Sequence, residues 1–195
     1  MKKKTKLIII GYGGHARSCI EVIKSKNNFE IVGYIDKKKN KENIYNLEYL
    51  GNDTYLSEAR KISKNAFITI GQIKNNKARK DIYKKLKKLD FNIPVIVAST
   101  SYISEYVEIG EGTIIMHNTF LNTNVKIGIN SIINSGCIIE HDTKIGDHNH
   151  ISTSAVVNGS ASIGNNNFIG SNSVINNNVV IKNNRIIPSM SRIYK

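Results

Sequence analysis

From Ile103 onward every sixth residue is aliphatic, through Ile109, Ile115, Leu121, Ile127 and Ile133 to Ile193. If about a third of residues were aliphatic at random, sixteen successive matches would arise roughly once in tens of millions of trials. Two positions before each of these residues the chain is mostly small (Thr113, Thr119, Ser131, Cys137, Thr143, Ala155, Ala161, Ser173). Glycine recurs every third hexad at Gly110, Gly128, Gly146 and Gly164. A six-residue period fits neither a helix nor a hairpin meander. It fits a solenoid with one short strand per hexad and three strands per coil. The aliphatic residue points inward, a small residue fits the corner, and Gly or Asn takes the turn. Strict phase implies three equal sides and about five coils, each one strand spacing high.

The residue before each inward aliphatic faces outward, and these residues sort into three sides. One reads Ile114, Ile132, His150, Phe168, Ile186; the next reads Phe120, Ile138, Val156, Val174; the third reads Glu108, Lys126, Lys144, Ser162, Val180. A solenoid already buries its core inside, so two apolar outer sides call for partners, and self-association is the natural inference. Because the phase never breaks, no inserted loop is expected to wall off a pocket within one subunit. A deep site is expected in a groove between subunits.

The first half alternates differently. KLIIIGYGGHARSCIEVIKS reads as strand, glycine turn and helix, FEIVGYID as a strand ending at Asp36, and AFITIG as a strand ending at Gly71. A basic helix follows from about Asn75 to Leu89, and IPVIV leads into the repeats. This β-α-β order predicts a small Rossmann-like parallel sheet, with Gly11–His15, Asp36 and Gly71 converging at the carboxyl ends of its strands. We place the domains at residues 1–94 and 95–195. Some 90 residues are about half a full dinucleotide fold, so a nucleotide or sugar-nucleotide suits the crevice better than NAD, its phosphates against the helix N-terminus.

The net charge of +13 lies entirely in residues 1–92, where 22 Lys/Arg face 9 Asp/Glu; residues 93–195 are neutral, with 6 of each. Runs such as KKK (37–39) and KARKDIYKKLKK (77–88) read as solvated faces, so nucleic acid is not the expected partner. The wealth of Lys, Asn and Ile fits an AT-rich coding sequence. No apolar run reaches the roughly 18 residues of a membrane span. The start MKKKTKLIII reads as a first strand and not a signal peptide, and two scattered cysteines suggest no disulfide framework. A cytoplasmic protein is expected.

Three of the five histidines fall in CIIEHDTKIGDHNHIS, residues 137–152. They occupy different corner or side positions, so convergence on a metal is not expected. His141 sits at a corner between Glu140 and Asp142, either of which would orient the imidazole and raise its basicity. His150 interrupts an apolar side. His148 and His117 read as polar turn residues, and Cys137 as a structural corner residue.

The GYGGHA loop, residues 70–83 and NSGCIIEHDTKIGDHNHIS together resemble the bacterial sugar acetyltransferases of the left-handed β-helix type, whose members include sialic acid O-acetyltransferases and UDP-4-amino-sugar N-acetyltransferases. The resemblance implies a left-handed parallel β-helix of hexapeptide repeats, a homotrimer, and acetyl-CoA lying between neighbouring prisms, with no metal. It implies His141 as general base supported by Asp142, and Asn134 near the acceptor. By the same resemblance His150 contacts the thioester region of acetyl-CoA, the backbone at Gly159 and Ser171 meets the CoA chain, and Gly13, Gly14, His15, Asp36 and Gly71 line a nucleotide-sugar pocket. The expected activity is acetyl transfer to an amino group of a nucleotide-activated surface sugar, with O-acetylation of a sialic-acid-like nonulosonate as the alternative. A non-enzymatic trimeric scaffold and a regulatory nucleotide-binding module are the rivals from other classes.

Overall fold

The computed structural model describes residues 4–73 and 75–194. The chain falls into two units, residues 1–71 with 77–94, and residues 72–76 with 95–195.

The first unit runs β1 (Thr5–Ile10), α1 (Gly14–Ser25), β2 (Phe29–Ile35), β3 (Tyr49–Gly51), α2 (Leu56–Ile62), β4 (Ala66–Ile68) and α3 (Lys77–Lys88). All four strands are parallel, in the order β3-β2-β1-β4. Leu7 to Ile10 are a continuous apolar run because both faces of β1 are covered. Helix α1 buries Ala16, Cys19, Ile20 and Ile23, the spacing of one helical face. Strand order reverses between β1 and β4, so the crevice lies beyond their carboxyl ends. Arg79 of α3 is buried there and donates to the carbonyls of Ile68 (2.6 Å) and Ile70 (3.0 Å), which pins the end of β4. Burial pushes its guanidinium down to about 10, so it stays charged at neutral pH. Strand β3 and helix α2 are absent from the sequence reading: three residues of strand and seven of helix carry too little periodicity.

Among the described residues the second unit contains seventeen two-residue strands, from Ile96–Val97 to Arg192–Ile193, in parallel sheets of five, six and six. Each strand pairs with the one 18 residues away, as Ile127 does with Ile145 and Ile133 with Ile151. The inward aliphatics form one core from Ile115 to Ile181. Every sixth residue from Gly112 to Met190 has positive φ, between 51° and 71°. Asn holds half of these corners because its short side chain tolerates the left-handed region. The abundance of Asn is therefore structural and not only a matter of coding bias. Small corner residues are buried and tie coil to coil: Thr113 Oγ1 donates to Gly128 O (2.8 Å) and Ser173 Oγ to Pro188 O (2.8 Å).

One expectation is corrected. The side reading Ile114, Ile132, His150 is not a free apolar surface, since all three are buried within the single chain. Unbroken phase does forbid an insertion in the repeats, but Gln72–Asn76, from outside them, belongs to this unit. Gln72 Nε2 donates to the carbonyls of His148 (2.9 Å) and Asn167 (3.3 Å), and Asn76 Nδ2 to Asn166 Oδ1 (2.9 Å). On the second apolar side Ile138 remains 39% exposed, and exposed Tyr102 stacks on Phe120.

The corners make a direct prediction. Asn178 has φ 59° and an exposed side chain. Urea titration should show Asn178→Ala destabilised by about 1 kcal/mol, Asn178→Gly near wild type and Asn178→Val worse than Ala.

Candidate functional site

At the corner after strand Ile138–Ile139, the ring of His141 stands half exposed beside Asp142, whose φ is 61°. Nδ1 of His141 lies 2.9 Å from Asp142 Oδ2. The carboxylate is itself held by Asn124 Nδ2, which donates to Oδ1 at 2.7 Å. Glu140, the other acid left open by the sequence, instead accepts from Asn122 Nδ2 at 2.6 Å. Asp142 is thus the orienting partner. Its carboxyl is held below the ordinary range, first by the Asn124 amide and then by His141. With Nδ1–H committed to a carboxylate, neutral His141 carries its lone pair on Nε2.

Nε2 faces Gly159, one coil further on. A Cβ on Gly159 would stand 2.7 Å from both Nε2 and Cε1, so only glycine admits the imidazole in this position. The N–H of Gly159 makes no hydrogen bond among the described residues, whereas its neighbours Asn158 and Ser160 donate to Ile175 O and His141 O. An imidazole nitrogen with a lone pair and a backbone N–H therefore belong to adjoining residues of neighbouring coils.

A second cluster occupies the preceding corner. Asn134 Nδ2 lies 3.2 Å from His150 Nε2, and Asn134 Oδ1 accepts from Ser135 N–H at 2.8 Å. His150 Nδ1 meets the carbonyl of Gln72, and its ring packs edge-on to Phe168. Ser171 Oγ pairs with Ser152 Oγ at 2.9 Å. Within one chain this corner and the His141 corner are the two edges of the side that carries Ile138, Val156 and Val174. The structure therefore brings His141, Asp142 and Gly159 together, and Asn134 and His150 together, but not the two groups. His148 meets Asn130 and His117 meets Thr100 through their Nδ1 atoms. Among the described residues no three His, Cys, Asp or Glu side chains form a metal-ligand group.

In the first unit, Gly11 has φ 95° and abuts Ile70, where a Cβ would collide at 2.6 Å. At Gly13 and Gly14 a Cβ would meet nothing, so the start of α1 is open ground with no side-chain cap and no acid in its first turn. Gly71 packs on His15, where a Cβ on the glycine would stand 3.3 Å from that of the histidine. Asp36 accepts from the N–H groups of Tyr12 and Lys37, each at 2.7 Å, and so shapes the glycine loop. A cleft beyond β1 and β4 is lined by Gly11, Asp36, Asp53, Asp81 and Lys85, with Lys85 paired to Asp53 at 3.0 Å.

Sequence reasoning missed Asn124 and Gln72. Asn124 was findable, since it lies one 18-residue coil before Asp142. Gln72 had no such signal, because it reaches the prism from outside the repeat.

Residues 6–86 match the family described as the PglD N-terminal domain. No curated protein sequence matches the chain. Among solved structures, it is similar to a histidine-to-asparagine variant of perosamine N-acetyltransferase from Caulobacter crescentus in complex with CoA and GDP-perosamine. That match has a TM-score of 0.89 and 23% identity, covering 97% of this chain and 89% of that one. The acetyltransferase domain of PglB from Neisseria gonorrhoeae gives 0.88 and 21% over 98% and 92%. WeeI from Acinetobacter baumannii gives 0.56 and 20% over 91% and 94%. These likenesses show the fold: a small Rossmann-like parallel sheet followed by a left-handed parallel β-helix.

Asn124 supplies a prediction. A carboxyl held low in the folded state contributes stability above its unfolded pKa and loses it as pH falls through the folded value. Asn124→Ala should raise the Asp142 pKa, seen in carbon-13 NMR titration of the side-chain carboxyl, and move the acid loss of that contribution to higher pH.

Proposed function

We infer that the protein is an acetyl-CoA-dependent N-acetyltransferase acting in the cytoplasm on an amino group of a nucleotide-activated sugar. The observation that carries this reading is the His141–Asp142 pair, its Nε2 open beside the unused Gly159 N–H. The likeness in fold to a solved perosamine N-acetyltransferase in complex with CoA and GDP-perosamine, and to the acetyltransferase domain of PglB, supports the same chemistry.

The step needs only these groups. The acceptor nitrogen attacks the thioester carbonyl carbon, and Nε2 of His141 takes the proton it sheds. The Gly159 N–H donates to the oxygen that gains negative charge, which a fixed backbone dipole stabilises without reorganisation. Collapse breaks the C–S bond, and the leaving thiolate takes the proton from the imidazolium, giving amide and free CoA. Asp142 holds the tautomer and stabilises the imidazolium throughout. No acyl-enzyme is required; burial pushes the Cys137 thiol up to about 12, which leaves it inert.

In this reading the first unit selects the acceptor. The bare backbone at Gly13 and Gly14 leaves room for phosphate oxygens at the uncapped start of α1, with His15, Asp36 and Gly71 around it. The second unit holds acetyl-CoA along Gly159 and Ser171. A homotrimer covers the Ile138 side and brings the His141 corner of one copy to the Asn134 corner of the next.

The test is release of free CoA thiol from acetyl-CoA by the purified protein with a panel of nucleotide-linked amino sugars, CMP-sialic acid and free nonulosonates. Turnover is expected with an amino-sugar nucleotide, rising with pH as the amine loses its proton, and falling by about 100-fold or more in folded His141→Ala. Turnover of a nonulosonate hydroxyl alone would assign O-transfer. A folded protein with no turnover, or an unaffected variant, would favour the scaffold.

A further inference from the structure

His150 is the odd residue of its side: a histidine held at 6% exposure between Ile132 and Phe168 in the sheet register. Resting on the transferase reading above, we propose that His150 is a positioning residue which fixes Asn134 as a hydrogen-bond donor to the substrate, and that the Gln72 carbonyl sets it in that role.

The placement of protons leads to this assignment. A backbone carbonyl can only accept, so the contact between His150 Nδ1 and Gln72 O requires Nδ1 to carry the proton. Neutral imidazole then presents a lone pair on Nε2. Across 3.2 Å from that lone pair stands Asn134 Nδ2, a donor. The two contacts are mutually consistent only in this tautomer. Asn134 Oδ1 is occupied by the Ser135 N–H at 2.8 Å, which independently fixes which end of the carboxamide is which. Asn134 thus has its oxygen used, one N–H given to His150, and one N–H left. Half-buried at its corner, it offers a ligand a donor and no acceptor. The partner this selects is an oxygen bearing lone pairs or developing charge, as the acyl carbonyl becomes during attack.

Gln72 is built for the purpose. Its side chain is 3% exposed and is anchored to the carbonyls of His148 and Asn167, so its own carbonyl cannot drift. Gln72 also directly follows Gly71, one of the residues assigned above to acceptor binding. His150 is then committed through both ring nitrogens and does not contact the thioester, contrary to what the family resemblance implies.

Histidine NMR and the kinetics of four variants test this. Nitrogen-15 NMR of the full protein labelled at histidine should show the Nδ1–H tautomer for His150, whether or not any acceptor is turned over. His150→Phe, which keeps a ring against Phe168 but loses both nitrogens, should lower kcat by about 100-fold while the KM for acetyl-CoA stays within about twofold. Asn134→Ala should lower kcat comparably, and the double variant should match Asn134→Ala alone. His150→Gln, which restores one donor and one acceptor, should recover part of the rate.

An Nε2–H tautomer overturns the proposal. So does a loss that falls on the KM for acetyl-CoA, or losses that multiply in the double variant. If no acceptor is turned over, the transferase reading fails on its own, and the tautomer, with the Asn134 amide signal moving in His150→Phe, still decides the geometry.

Discussion

The whole second unit depends on one repeated torsional constraint: every sixth residue must enter the left-handed region so that the chain can turn a corner between two-residue strands. Each such residue costs about 1–2 kcal/mol unless it is glycine or a short polar side chain. The sequence meets this with seven asparagines, two glycines, and at single corners Asp142, His148, Ser154, Ser160 and Met190. Once the corners are set, the 18-residue coil follows, and parallel pairing stacks like positions. Such stacking brings Asn124 under Asp142 and His141 under Gly159.

The geometry around His141 is a by-product of register. The orienting carboxylate sits on a left-handed corner residue, where its own backbone torsion aims it at the preceding imidazole. Its supporting amide comes from the coil below and the glycine that admits the ring comes from the coil above. None of these contacts needs a loop, which suits a site whose atoms must hold position to a fraction of an ångström.

Legibility in the sequence follows the same division. The hexad exposed the prism, its phase and its inward residues, since a fixed period is the strongest signal a sequence can carry. His141 and Asp142 were visible as an unusual corner pair, and Glu140 could be set aside only when its bond to Asn122 was seen. The covered side was illegible: Ile114, Ile132 and His150 look outward in the repeat yet are buried, and nothing in the repeat announces that Gln72 reaches His150 from outside it. In the first unit, β1, α1 and β2 were plain from four consecutive apolar residues and helical spacing. The three-residue strand Tyr49–Gly51 was not, because its place is set by tertiary pairing with Tyr34 and Ile35.

The central claim is that His141 and Asn134, on two edges of one side, complete a site only between copies. Complementation tests it most directly. His141→Ala and Asn134→Ala protein, each nearly inactive alone, would be unfolded together in equal amounts, refolded and assayed for CoA release. Random mixing leaves about a quarter of the between-copy sites with both side chains intact, so about a quarter of wild-type activity should return. No recovery in properly assembled hybrids would place both residues in one chain's site and contradict the account.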